Sequence, residues 1–520
     1  MKRELKSVVL AALCVVGFVA FAEVPKPLLV PDYNRDGKID VADYERLAAG
    51  EAFTVWLNDD DDAEGTDDGT EAGDTNNDLH DVPGGDGNDK DCADDKVNGR
   101  CDLLDFFPVL IDVSQIDGWD GMTWKLVSTS VNVVFTGLNK DTAGSFHTTE
   151  AKALDGETPL YKADIEQLAG DAGKGDVTLP MDFLKNGLGV ILVEGAALGD
   201  EGLTLRGEGG DGAEVTLDLR VVDVEKMYGW LNLRPKSKDE DEGEQWKVEN
   251  SSVRLRLPTT TTPTTTTDNR HFILVHGYNT NHEEARGNAA EFYKKLWQSG
   301  SDAMMTAVEW RGDQSQIKFE MLDVNFTPNY HVNVENAFVA ARPFAEACKK
   351  LPGEKILVGH SLGNMLIASA IRDHGLDYTK YVMLNAAVPR EAYDANAYDE
   401  DMVDDDWLDT NERPLLDRAS HWYKNFAGKE YDPYEYRRKL AWRGRFANLP
   451  RTVNYYSPTD NILLNPDPNE KDPDKILDRN DPDIYRKVNE LLLLKLVNGR
   501  SIGRDGRKKT ASGSGRSARR

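Results

Sequence analysis

The sequence predicts a multidomain chain whose C-terminal half is an α/β domain, a mostly parallel sheet with helices on both faces. Three observations predict it. From Arg270 onward, short apolar runs alternate with stretches of helical length. Phe272–Val275, Met304–Trp310, Lys355–Val358, Tyr381–Leu384 and Thr452–Tyr456 read as strands, and Glu283–Gly300, Val332–Leu351 and Asn364–Ile371 as helices. Such alternation is solved by parallel strands joined through helical crossovers. Residues 258–268 are a threonine- and proline-rich stretch that reads as a stiff polar linker ahead of this domain. Before the linker, residues 106–257 carry short β-branched runs separated by Gly, Asn and Asp turns, the pattern of a β-sandwich-like domain.

Taken in order, residues 1–22 read as a secretory signal peptide. Lys2, Arg3 and Lys6 precede the apolar stretch Ser7–Ala20, and Ala20-Phe21-Ala22 forms a cleavage site. Secretion or display at the cell surface is therefore expected. No later stretch is long enough to span a bilayer, so no transmembrane segment is expected after cleavage. The formal net charge of −29 argues against nucleic acid as a partner, because phosphate is repelled by such a surface.

Residues 23–57 contain a calcium-loop pattern. Asp32, Asn34 and Asp36 alternate, Gly37 supplies a sharp turn, Lys38 offers a carbonyl, and Asp40 and Asp43 close the loop. Oxygen donors at these intervals suit Ca²⁺. The loop resembles an EF-hand of the dockerin type, although one loop stands where a dockerin carries two. That resemblance implies a cell-surface or scaffold partner reached through the N-terminal module.

Residues 58–105 are dense in Asp and Gly. Two readings stand: a calcium-ordered module resembling thrombospondin type-3 wrappings, with a Cys92–Cys101 disulfide, or a solvated acidic linker. Cys348 falls on an apolar helix face and reads as a core thiol. Residues 386–450 read as a helical lid rich in Tyr and Trp, and residues 499–520 as a basic disordered tail.

Gly359-His360-Ser361-Leu362-Gly363 lies between a predicted strand and a predicted helix. That context makes G-x-S-x-G a nucleophile elbow, which presents Ser361 Oγ at the carboxyl edge of a sheet. His276-Gly277-Tyr278-Asn279 follows the first strand of the domain. On these motifs residues 269–498 resemble the α/β-hydrolase superfamily, in its lipase and esterase branch. The resemblance implies a serine hydrolase of ester or lipid-type acyl substrates, with Tyr278 and Leu362 N–H groups as the oxyanion hole. It also implies Asp460, after the strand Thr452–Tyr456, as triad acid, with Asp394 as runner-up. No cofactor is implied for catalysis, and the Ca²⁺ expected in the N-terminal loop is structural.

The superfamily order places the histidine after the acid, yet no histidine follows Asp460. His421, in the lid, is the remaining candidate base. His276 and His360 belong to the two motifs and read as loop-orienting residues. The basic tail breaks from the preceding composition, so the reading is a chain cut short, or read out of frame near Gly499, with impaired activity. A second function class follows: a calcium-dependent surface attachment protein whose hydrolase domain is inactive.

Overall fold

The computed structural model describes residues 26–57, 103–148, 175–180, 182–209, 213–234, 253–258, 268–280, 282–313, 317–319, 324–326, 330–388, 390–393, 445–457 and 518–519. Two compact units are present, one of residues 1–55 with 106–221 and one of residues 56–105 with 222–520.

In the first unit, β1 (Leu28–Pro31) leads through the acidic loop into α1 (Val41–Ala48). Asp40 caps this helix by accepting the Ala42 N–H at 2.8 Å, and Asp43 reaches back to the Asp40 N–H at 2.9 Å. The reciprocal pair is a capping box, which satisfies donors that the first turn leaves open. Then come β2 (Phe53–Trp56), β3 (Phe106–Asp112), β4 (Thr123–Val127), β5 (Val131–Phe135), β6 (Asp176–Thr178), β7 (Leu188–Gly195), β8 (Leu203–Glu208), β9 (Glu214–Leu217) and β10 (Leu219–Val222). One antiparallel sheet has the order β1-β3-β7-β5, and a second has β6-β4-β8-β9. β3 and β7 are buried along almost their whole length, as uninterrupted apolar runs require. β8 alternates instead, with Leu203 and Leu205 inside and Arg206 and Glu208 out. The turn between β4 and β5 carries the chain from one sheet to the other. Ser128 organises it, accepting the Ser130 and Val131 N–H groups and donating to the Gly202 carbonyl.

The second unit is built on an eight-stranded sheet of order β12-β11-β14-β13-β17-β18-β19-β20. Its elements are β11 (Gly229–Asn232), β12 (Arg254–Arg256), β13 (Arg270–Val275), α2 (His282–Gln298) and β14 (Met304–Glu309), followed by a small hairpin of β15 (Ile317–Phe319) and β16 (Val324–Phe326). α3 (Tyr330–Cys348), β17 (Glu354–His360), α4 (Gly363–His374), β18 (Lys380–Leu384), α5 (Arg390–Tyr393), β19 (Thr452–Tyr456) and β20 (Ala518–Arg519) complete it. Every pairing is parallel except the edge strand β12, which is antiparallel to β11. α3 packs against α4, and the core joins Phe344, Leu357, Met365 and Tyr381. Lys294 is wholly buried and lies 2.8 Å from the equally buried Asp105, whose carboxylate also accepts the Trp56 indole N–H. Among the described residues no helix is long and apolar enough to cross a membrane.

Several boundaries differ from those expected. The linker at 258–268 falls between β12 and β13, which belong to one sheet, so the α/β unit reaches back through residues expected in the β-rich domain. The 23–57 segment expected to form a separate calcium-binding module is joined to the β-rich unit, because β1 pairs with β3. The tail expected to be disordered contributes β20, two residues beside Tyr455–Tyr456. Cys348 is buried, and burial pushes its thiol pKa up. The signal peptide, nearly all of the 58–105 segment with Cys92 and Cys101, and most of the lid lie outside the described residues.

Candidate active site and calcium loop

Ser361 follows the last residue of β17, and α4 begins at Gly363. Its φ is +48°, in the left-handed region that a side chain with Cβ seldom enters. Such a residue costs about 1–3 kcal/mol and persists only when its surroundings over-determine it. Here they do. The Ser361 N–H donates to the Leu384 carbonyl at 3.0 Å, and its own carbonyl accepts the Ala387 N–H at 3.1 Å. Asn364 fixes the turn from the helix side: its Nδ2 donates to the carbonyls of Gly359 at 2.9 Å and Ser361 at 3.0 Å. The wholly buried Tyr381 donates its hydroxyl to Asn364 Oδ1 at 2.9 Å, completing the amide's partners. Asn364 was not singled out in the sequence. A polar residue in the first turn of an otherwise apolar helix is the signal that could have found it.

The oxyanion-loop candidate sits beside this turn. The parallel register sets Val275 opposite Gly359, so Gly277 comes alongside Ser361. The approach is so close that a Cβ on Gly277 would lie 2.9 Å from Ser361 Cβ and 2.9 Å from His360 Nδ1. Tyr278 is the next residue, packed against the core, and Leu362 is fully buried at the N-terminal end of α4. Three consecutive strand exits turn through positive φ: Asn279 at +62°, Ser361 at +48° and Asn385 at +40°. Asn tolerates this region because its amide can bond locally, so the serine is the anomalous member. Ser361, Leu362 and Tyr278 are thus brought together. His421, Asp460 and Asp394 lie outside the described residues.

The 276–280 loop is gripped by residues that the sequence reading did not single out. The Trp310 N–H donates to His276 Nε2 at 3.2 Å, and its indole N–H donates to the His276 carbonyl at 3.0 Å. The Asn279 N–H donates to the Gly312 carbonyl at 3.0 Å. Arg234 donates to the Thr280 carbonyl at 3.2 Å and to Asp313 at 3.1 Å, while its Nε lies 2.6 Å from Glu309 Oε1. Glu309 is 0% exposed at the end of β14. Its other oxygen accepts Asn232 Nδ2 at 2.5 Å, and His282 Nδ1 lies 2.8 Å from Oε1. A buried carboxylate needs such partners, since desolvation of an unpaired charge is costly.

His276 has both ring nitrogens engaged: Nδ1–H donates to the Gly277 carbonyl at 2.9 Å and Nε2 accepts from Trp310. Burial drives its pKa down from 6.5 to about 4. It is therefore a neutral bracket for the loop and has no free nitrogen to serve as a base. The depressed pKa fixes the sign of a pH effect. Both folded and unfolded forms are neutral above pH 6.5, and the unfolded state alone takes up a proton between 6.5 and 4. The stability contribution is expected to be complete above that window and to fall across it by roughly 3 kcal/mol. Melting curves at pH 4 to 7 check it: the slope should shrink in a His276→Gln chain.

In the acidic loop, Asp32 is 3% exposed. Its Oδ2 accepts the Gly37 N–H at 2.9 Å, and its Oδ1 is buried with no hydrogen-bond partner. Desolvation, together with the charges of Asp43 and Asp36, raises its pKa to about 7 against the lowering effect of the Gly37 and Arg35 N–H groups. Asn34 Oδ1 accepts the Asp36 N–H and Asp36 Oδ1 the Lys38 N–H, both at 3.0 Å. Asp40 is the helix cap. Both oxygens of the buried Asp43 accept backbone N–H groups, from Tyr33 and from Asp40. Among the described residues no three carboxylate, imidazole or thiolate groups converge closely enough to hold a metal. The donor types nonetheless fit a hard cation. An ion would satisfy the orphan Asp32 oxygen, with the Asn34 amide and the Lys38 carbonyl supplying neutral donors.

Comparison of the chain with family models, with curated proteins and with solved structures found no match.

Proposed function

We propose that the chain is an exported serine hydrolase of ester or lipid-type acyl substrates, of α/β-hydrolase type, with a structural Ca²⁺ in its N-terminal loop. The observation that carries the reading is Ser361 at φ +48° on the exit of a central parallel strand, against Gly277 of the neighbouring exit. A non-glycine residue is held in a strained conformation only where its surroundings enforce it, and strain of this kind clusters at functional sites. The helix that begins at Gly363 also sets the positive end of its dipole beside the serine, where negative charge is favoured.

In the proposed reaction Ser361 Oγ adds to the acyl carbon while its proton passes to a base. The carbonyl oxygen becomes an oxyanion, taken by the Leu362 and Tyr278 N–H groups. Collapse expels the alcohol, which takes up the proton, and water then releases the acid from the acyl-serine. Asp460 and His421 are the residues assigned to orient and to act as the base. His276 is excluded from that role because both of its nitrogens are bonded.

A fluorophosphonate probe tests the proposal. The chain should label at Ser361 and hydrolyse a p-nitrophenyl ester, and Ser361→Ala should abolish both. Absence of labelling in a folded chain would instead support an attachment protein with an idle hydrolase domain. His421→Ala should lower both rates by about 10³-fold or more if the lid histidine is the base.

A further inference from the structure

The acidic loop is joined to the β-rich unit on two sides. On one side, β1 pairs with β3, the Asp32 N–H donates to the Pro108 carbonyl at 3.2 Å, and the Tyr44 hydroxyl donates to Asp112 at 2.8 Å. On the other side stands the turn at residues 139–144, beyond β5. The Ile39 N–H donates to the Lys140 carbonyl at 2.8 Å, and the Gly144 N–H donates to the Gly37 carbonyl at 2.9 Å. The two backbones touch here: a Cβ on Gly144 would lie 2.5 Å from Gly37 Cα. The turn is itself preformed. Asn139 Oδ1 accepts the Asp141 N–H at 2.9 Å, and Thr142 Oγ1 accepts the Asn139 N–H at 3.1 Å. Within the loop, Asp32 is almost wholly buried with one oxygen unpartnered, and its other oxygen holds the N–H of Gly37, the residue that meets Gly144.

We propose that Ca²⁺ in the 32–43 loop is an internal latch that holds the β1–α1 segment against the 139–144 turn of the β-rich unit. It is not a handle for an external scaffold. The proposal rests on the calcium reading given above. Asp32 links the ion to Gly37, and Gly37 and Ile39 make the two backbone bonds to the turn. An ion that fixes Asp32 therefore fixes those bonds. Emptying the loop leaves a buried carboxylate with an open lone pair at the same point, which favours opening. Coupling of this kind is reciprocal: whatever opens the turn must weaken the ion.

The experiment uses the full chain. Calorimetry with CaCl₂ is compared between the native chain and Asp32→Asn, which isolates the heat of this loop from that of the other acidic segments. Hydrogen exchange at the Ile39 and Gly144 amides is followed in EGTA and in Ca²⁺ at about 100 times the measured Kd. Protection at both amides should rise by up to about 100-fold with calcium, and Asp32→Asn should remove that rise. Gly144→Ala, which wedges the two backbones apart, should weaken calcium binding by about tenfold through the reciprocal coupling. A loop-specific heat with unchanged exchange at both amides, or with unaltered affinity in Gly144→Ala, overturns the latch and leaves the calcium site standing. No difference in heat between the native chain and Asp32→Asn overturns both.

Discussion

Arg234→Met is expected to lower folding stability by about 3–5 kcal/mol, the range for breaking a buried ion pair by removing one partner. Catalytic rate should fall with it. Glu309 is 0% exposed, and Arg234 is the guanidinium that lies 2.6 Å from it. Methionine keeps much of the side-chain volume, so the loss reports charge and hydrogen bonding more than packing. The same substitution frees the Thr280 carbonyl and Asp313, two of the ties on the 276–280 loop. The Tyr278 N–H would then be held by a looser loop, and an oxyanion donor displaced from its position costs about 10²–10³ in rate. Arg234→Lys should recover part of the stability, because charge returns, and little of the rate, because the fork to Thr280 and Asp313 does not. Urea denaturation and ester hydrolysis of the two variants check this. The double variant Arg234→Met with Glu309→Met separates the terms: it should regain stability relative to Arg234→Met alone, since the fully buried Glu309 carboxylate is gone and only the partly exposed Asp313 lacks its guanidinium. A loss under about 1 kcal/mol in Arg234→Met would show that Asn232 and His282 suffice to hold the carboxylate.

How much of this was legible in the sequence depended on range. The Ser361 turn was legible because its cause is local: a strand, two glycines around a serine, and a helix, all within one stretch of chain. The Asp32–Asp43 pattern stood out for the same reason, its oxygen-bearing side chains being a few residues apart. The boundary at 258–268 was misplaced because composition marks a stiff polar run without saying whether the strands on either side share a sheet. Gly229–Asn232 and Arg254–Arg256 are short, and the second alternates Arg, Leu, Arg as any edge strand does. Only the pairing of β11 with β14 reveals that they belong to the α/β unit. The same blindness hid Arg234, which meets Glu309 across 75 positions of chain and from beyond the expected boundary. Asn364 was within reach, since an amide on a buried helix face must find partners. The histidine and acid of the proposed triad were read by position along the chain, and they fall where the structure describes no residues.

The two glycines of the Ser361 turn are expected to respond very differently to alanine, although the motif treats them alike. A Cβ on Gly363 would lie 2.4 Å from the His276 carbonyl oxygen and 2.8 Å from that of Val275, both backbone atoms at the end of β13. Neither can rotate away, so the helix start and the strand end must separate. On propensity alone the substitution would favour the helix by up to about 1 kcal/mol. The clash opposes that, and overpacking a tight site costs about 1–3 kcal/mol, more when backbone has to move. The net is a loss of up to about 2 kcal/mol from packing, and more because both contacts are to backbone that must move. A Cβ on Gly359 would instead lie 2.6 Å from Asn364 Oδ1 and 2.9 Å from Ile367 Cδ1, the far ends of two side chains. Ile367 can change rotamer at small cost, so Gly359→Ala should lose about 1 kcal/mol or less in packing. Its harm should lie in the Asn364 amide, which brackets the carbonyls of Gly359 and Ser361. Gly359→Ala is therefore expected to remain folded with slowed fluorophosphonate labelling, because Ser361 is no longer held at its strained φ. Gly363→Ala should lose both stability and labelling, since moving the end of β13 carries Gly277 and Tyr278 away from Ser361. Thermal melts paired with labelling rates distinguish the two outcomes, and equal stability losses would contradict the backbone-contact argument.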